Sequence, residues 1–415
     1  MTLWNPEYRI KINGSTVTSV TLAGMTITSG RTSIYSQPVA GYANLSLLET
    51  NVGSVSFDLN DSVTVEVKKT NGSYVYLFGG FITDISIEVA TSGSTALSQR
   101  INIIATGALA RLARIIYDGN LSQDQDGDQI YTILNGILYN SWNEVAPTLT
   151  WAGYPATQTW LDAENSGLGE IDRPGNYDLD SQNNILEDVY SLVSRLATSG
   201  LGYIYEDSQG RICYADSTHR GQELALNGYV DLDGNHAIGS GLSVVKRAGD
   251  VRNSITLTYT SSGNSSVTDT DPASIALYGE LGDTINTSLK NQADATDQAA
   301  FYLALRANPQ FEMNRITFEL GSPEIDDSDR DALLQISMAT PLNIQNLPGN
   351  MTLGEFQGFV EGWTWTAGYN RLNLTLNLSP LAYSLQAFQW DDVPIAETWQ
   401  TISPTMTWLD ATIVA

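Results

Sequence analysis

Residues that carry chemistry are scarce in this chain. Among 415 residues there is one cysteine, Cys213, and only two histidines, His219 and His236. An intrachain disulfide is therefore excluded, and most nucleophilic and metal-hydrolase mechanisms lack parts. There is no Gly-x-x-x-x-Gly-Lys-Ser/Thr loop, no His-Glu-x-x-His, no Gly-x-Ser-x-Gly and no Cys/His cluster with zinc spacing. Basic residues are few, 20 against 46 acidic ones for a net charge of −26, which argues against specific binding of a nucleic-acid backbone by counterion release. No stretch reaches the ~18 consecutive apolar residues of a membrane-spanning helix, and Met1 to Glu7 carry neither a basic cluster nor an apolar run. A soluble product without a membrane span is expected.

What is present is β periodicity. Leu372, Leu374, Leu376 and Leu378 alternate with Arg371, Asn373, Thr375 and Asn377, the two-residue period of a strand with one buried and one wet face. Its expected partner is the aromatic and β-branched run Phe359 to Thr366, broken from it at Ala367-Gly368. Gly362 inside that run suits a bulge or the close approach of another backbone. Near the other end, Tyr8, Ile10 and Ile12 alternate before Asn13-Gly14, a hairpin signal. Short strands follow around Leu45–Leu48, Val63–Val67, Tyr74–Phe78, Ile85–Val89 and Ile101–Ile104, a spacing that suggests a closed or nearly closed barrel.

Residues 113–247 change character. Ile130, Ile133, Leu134, Ile137, Leu138 and Trp142 fall on one helical face, and Ile185, Val189, Leu192, Val193 and Leu196 repeat the pattern, ending near Gly200. A hairpin Tyr203-Ile204-Tyr205 with Ile212-Cys213-Tyr214 places Cys213 mid-strand, as packing rather than nucleophile. Residues 146–182 read as a long irregular excursion. Strands return after 248, around Ile255–Tyr259 and Ile316–Leu320, with an Ala-rich helix from about Gln292 to Ala307 between them that would plug or flank a barrel. Asn291 is its candidate N-cap. In the tail, T-M-T-W-L-D-A at 405–411 echoes T-Q-T-W-L-D-A at 157–163, and both are expected to be extended docking segments with aromatic anchors.

Three stretches carry a family resemblance: T-I-T-S-G-R-T-x-I-Y-S-Q-P-x-A-G-Y within residues 24–43, D-P-A-S-I-A-L-Y-G at 271–279, and L-x-I-x-N-L-P with G-F-V-E-G-W-T-x-T and L-x-L-T-L-x-L-S-P within 342–380. Together they resemble the tail hub (baseplate hub, or minor tail) proteins of long-tailed bacteriophages, especially those of actinobacteria. The resemblance implies a mainly β fold of two small hub-type β-barrels with an α+β middle domain, flanking helices and an extended C-terminal arm. The corresponding division is 1–112, first barrel; 113–247, middle domain with a long loop insertion; 248–383, second barrel with the Ala-rich helix; and 384–415, docking arm. It also implies a homotrimeric ring at the virion tail tip, assembled in the host cytoplasm, joining a six-fold tail tube to a three-fold tip around the genome exit path. Other tail proteins would be its partners: a distal tail or tube protein, a tape measure protein, and a central fibre or spike.

Candidate sites are few. Arg31 is the residue in its motif most open to a site reading, and the expected role is fixing loop carbonyls or a subunit contact. Asp124-Gln125-Asp126-Gly127-Asp128 invites a calcium reading, but aligned to an EF-hand loop Ser122 and Ile133 replace two ligands. A solvated turn leading into a helix at about Gln129 accounts for the same acids. Asp231-x-Asp233-Gly234-Asn235 is a weaker version of the same pattern. No catalytic residue, metal ligand or cofactor is expected. Two rival functions are a carbohydrate-binding tail-tip module using loop aromatics from Trp151 to Trp160, and a cell-wall hydrolase using a carboxylate pair.

Overall fold

The computed structural model describes residues 4–49, 57–89, 98–141, 150–151, 158–159, 168–172, 177–239, 242–260 and 265–385. Residues 386–415, Trp142, and both copies of the T-W-L-D-A repeat apart from Thr159, lie outside that set. The described chain is mainly β, with seven α-helices among the described residues.

Its central element is the antiparallel hairpin of Phe356–Gly368 with Arg371–Pro380. Leu372, Leu374, Leu376 and Leu378 are all buried, each contributing about 2 kcal/mol relative to an exposed side chain. Ala367 and Gly368 do not end the strand. They pair with Leu372 and Arg371, and the chain turns at Tyr369-Asn370, where Asn370 takes the left-handed φ of 52° that asparagine tolerates better than most residues.

The expected bulge falls at Glu361. Val360 pairs with Leu378 and Gly362 with Asn377, leaving Glu361 as the extra residue. At that point Phe356–Gly368 also changes its other neighbour. Its first half pairs with Pro341–Gln345, while Gly362 to Ala367 pair with Gly30 to Met25 of the strand Val20–Gly30. The crossing is tight: a Cβ on Gly30 would lie 2.5 Å from the Glu361 carbonyl oxygen, and one on Gly362 would lie 2.5 Å from that of Arg31. Gly30 also has a φ of +83°, which an L side chain rarely adopts.

Through this crossing the two ends of the chain form one 13-stranded sheet. Beyond Val20–Gly30 the order continues through Val39–Glu49, Gln99–Thr106, Tyr74–Val89, Ser62–Lys68 and Tyr8–Ile12. On the other side lie Arg371–Pro380, Glu312–Glu319 and Ser243–Val245. Where two separate barrels were expected, the strands of the two chain ends share one large open sheet with a branch, and no closed barrel forms among the described residues. Period-2 alternation specifies which face of a strand is buried but not which strand lies beside it.

One hydrophobic core draws on both chain ends, from Ile10 to Leu378. A second joins residues 108–134, 168–214 and 255–303. In it, helix Val189–Ser199 is capped by Asp188, whose carboxylate accepts from the Ser191 amide at 2.8 Å. Ile185, expected in that helix, belongs instead to the strand Gln182–Asp188, because the Asp188 cap sets the helix start after it. The hairpin Tyr203–Glu206 with Ile212–Ala215 forms as expected, and Cys213 is buried within it. The Ala-rich helix Gln292–Arg306 packs on the small sheet containing Ser254–Tyr259 and Ser265–Thr270, burying Ala295 and Ala299. It is tied to helix Val189–Ser199 by Gln298, whose amide donates to the Ser199 carbonyl at 2.7 Å.

Gly30→Ala and Gly362→Ala should each destabilise the protein by roughly 2–3 kcal/mol. Gly249→Ala, where an added methyl meets nothing within 4 Å, should leave the urea midpoint unchanged.

Candidate functional site: a buried arginine joint and its cleft

The Glu361 bulge places a carboxylate in the interior, 1% exposed. Two arginines meet it. Arg31 donates from Nε at 2.6 Å, and Arg220 donates from Nη1 and Nη2 at 2.8 and 3.0 Å. The Ser379 hydroxyl donates to the same carboxylate at 2.5 Å. Arg31 also gives its backbone amide to the Glu361 carbonyl at 2.7 Å and its Nη1 to the Ser36 carbonyl at 2.8 Å. Arg220 reaches the Ser384 hydroxyl at 2.6 Å. Both guanidinium groups lie against the Tyr203 ring, at 4.9 and 5.1 Å from its centroid.

Burial pushes the Glu361 carboxyl up, but Arg220 and Arg31 outweigh it and hold it down at about 2. For Arg220, burial works against the charge and Glu361 overcomes it, raising the group. One carboxylate thus holds two guanidinium groups, the three drawn from the first segment, the middle of the chain and the last hairpin.

The motif around Arg31 is built to make this joint. Gln37 donates to the Gly202 carbonyl at 3.0 Å and accepts from the Ile204 amide at 3.1 Å. The Tyr190 hydroxyl donates to the Pro38 carbonyl at 2.6 Å. The Gly41 amide donates to Glu206 at 2.8 Å. Burial pushes the Glu206 carboxyl up to about 7 even though the Leu109 and Gly41 amides favour its charged form.

Over the joint opens a cleft of about 180 Å³ into which Arg31, Arg220, Arg252 and Arg306 all face. Tyr35 fills one wall. Its ring lies 4.9 and 4.7 Å from the guanidinium groups of Arg252 and Arg306, and its hydroxyl donates to the Asp250 carbonyl at 2.8 Å. Asp216 and Asp283 also line the cleft, and Arg252 donates to Asp283 at 3.3 Å. The lining is rich in charged and aromatic residues, and no histidine or cysteine is among its described residues.

Arg31 does fix a loop carbonyl, as expected from its motif, and it also holds Glu361. Glu361 was missed in the sequence, although an acid inside the apolar run F-V-E-G-W is a signal that could have found it; Arg220 had no comparable signal. The run from Asp124 to Asp128 is not a solvated turn. Asp124 and Gln125 pair with Leu179 and Asp178, and the helix begins at Asp126 rather than Gln129. Asp126 is buried, accepting from the Tyr214 hydroxyl at 2.5 Å, and burial pushes its carboxyl up to about 7 against that hydrogen bond. Asp231 accepts from Asn343 at 2.8 Å, and Asp233 caps the turn at Gly234–His236. Among the described residues only Glu170, Asp172 and His219 bring enough ligand atoms together for a cation.

No family model and no curated protein matches the chain. Its fold does have solved counterparts. A tail protein from Neisseria meningitidis MC58 aligns with a TM-score of 0.55 at 13% identity, over 92% of this chain and 98% of that one. The 43 kDa tail protein of prophage MuSo2 from Shewanella oneidensis aligns with a TM-score of 0.52 at 12% identity, over 91% and 99% respectively. The architecture is therefore that of phage tail proteins.

Glu361→Gln should cost about 3–5 kcal/mol at pH 7, because it leaves two buried arginines undercompensated. The folded-state carboxyl lies below its ordinary value of 4.5. Its contribution is therefore complete above that pH and is withdrawn as pH falls towards 2, so the acid limb of a stability–pH curve should flatten in the variant. Asp126 has the opposite sign: its raised folded value means stability is lost as pH rises from 3.8 to about 7. Asp126→Asn should raise the thermal midpoint by an amount that grows over that interval and is constant above it.

Proposed function

We propose that the chain is a structural tail hub protein of a phage virion, three copies of which form a ring at the tail tip. The ring joins the six-fold tail tube to the three-fold tip and surrounds the genome exit path. The observation that carries this reading is the joint at Gly30, Arg31 and Glu361, which locks the strand-rich first and last segments into one sheet. A rigid body of that kind can present two strand-rich surfaces side by side, so that three chains supply a pseudo-six-fold wall. The likeness to tail proteins over more than nine tenths of the chain supports it.

In this reading residues 1–112 and 248–383 build the wall, 113–247 form the middle domain, and 384–415 dock onto a neighbour. The protein has no catalytic role and needs no cofactor. It is assembled in the host cytoplasm and contacts a distal tail or tube protein, a tape measure protein and a central fibre or spike. With a net charge of −26, an acidic lumen would repel the phosphates of passing DNA and keep the polymer from adhering. Ile87 and Val89, 60% and 70% exposed near the end of Tyr74–Val89, are candidate subunit contacts.

Light scattering should give three times the 45.1 kDa of one chain, and images should show rings. Ile87→Asp with Val89→Asp should shift the mass towards that of a single chain. A wild-type protein that stays monomeric at tens of micromolar would refute the trimer.

A further inference from the structure

A second buried polar group, separate from the arginine joint, lies where the strand Leu168–Ile171 meets the helix His219–Asn227. Asp172, directly after the strand, is fully buried. Its amide donates to the Tyr214 carbonyl at 3.1 Å, and its Oδ2 takes the Asp216 amide at 3.1 Å and Nδ1 of His219 at 2.8 Å. Its other oxygen, Oδ1, is equally buried and has no hydrogen-bond partner. Glu170, half-buried, completes the group, and one ligand atom from each of the three residues lies within 4.8 Å of the others.

Within this set of two carboxylates and one imidazole, the His219 contact serves Oδ2 of Asp172 and leaves the buried Oδ1 without a partner. A buried carboxylate oxygen without a partner is strongly unfavourable. A divalent cation would supply that partner and balance the two carboxylate charges. We propose that Glu170, Asp172 and His219 form a binding site for a divalent transition-metal ion, with zinc as the best-fitting common ion.

The donor set selects the metal. An imidazole with two carboxylates matches zinc coordination, whereas calcium and magnesium favour all-oxygen shells of six or more ligands. Zinc bonds of about 2.0–2.2 Å hold tetrahedral ligands roughly 3.4 Å apart. Asp172 and His219 are already within that spacing, and Glu170, the least buried of the three, closes the remainder by a side-chain movement. The ion would pin the end of Leu168–Ile171 to the first residue of His219–Asn227. The next residue of that helix is Arg220, one of the two guanidinium groups on Glu361, so the metal would also fix one arm of the arginine joint. The site does not depend on the tail hub reading.

The test uses the full chain, stripped with EDTA and dialysed, then titrated with zinc chloride by calorimetry and followed by thermal unfolding. One zinc per chain and a midpoint raised by several degrees are expected, with no comparable response to magnesium or calcium. Glu170→Gln, at a half-buried position, should fold with the midpoint of the stripped wild type and bind zinc at least ten-fold more weakly. His219→Asn should not bind it, and His236→Asn should bind as the wild type does. Absence of stoichiometric zinc binding by the wild type overturns the proposal. So does equal response to magnesium or calcium, unchanged binding in Glu170→Gln and His219→Asn, or loss of binding in His236→Asn.

Discussion

The carboxylate of Glu361 is held between the guanidinium groups of Arg31 and Arg220 at a point where two backbones cross on glycine. Each part of this arrangement requires the others. The bulge exists because Gly362 lets Phe356–Gly368 approach Val20–Gly30; the extra residue it creates is an acid turned inward; and an inward acid is tolerated only with cations beside it. Remove the crossing and the first and last segments lose both their shared ladder and their shared charge.

Placing arginine here rather than lysine has a physical reason. A guanidinium presents several donors in a fixed plane, so Arg220 can serve Glu361 and Ser384 at once while stacking on Tyr203 and Phe359. In a chain with 20 basic and 46 acidic residues, four arginines gathered around one cleft are a concentrated use of scarce positive charge. The net charge of −26 is left to the rest of the chain as a result.

The parts legible in the sequence were those set by local chemistry. Leucines at every second position gave the Arg371–Pro380 strand, Asn13-Gly14 gave a turn with positive φ at both residues, and a glycine in an aromatic run gave the bulge. Cys213 was rightly read as packing. What local chemistry cannot carry is partnership across the chain. Glu361 went unread although it is an acid among apolar residues, and nothing around Arg220 marks it as the second cation. The alternation that suggested barrels is satisfied equally well by one open sheet. The helix starting at Asp126 was placed late because a buried aspartate held by Tyr214 looks, in sequence, like a solvated one.

The strand Val20–Gly30 leaves the ribosome well before Phe356–Gly368, which covers one of its edges. Arg31 and Glu361 are separated by 330 positions. At about 5–20 residues per second, the early strand waits roughly twenty seconds to a minute with a row of amides and carbonyls unclaimed. Such an edge is a template for any passing β-segment. The nascent protein must therefore be shielded, or aggregation must be slow relative to translation, until the closing hairpin emerges. Maturation of the whole sheet is tied to synthesis of that hairpin.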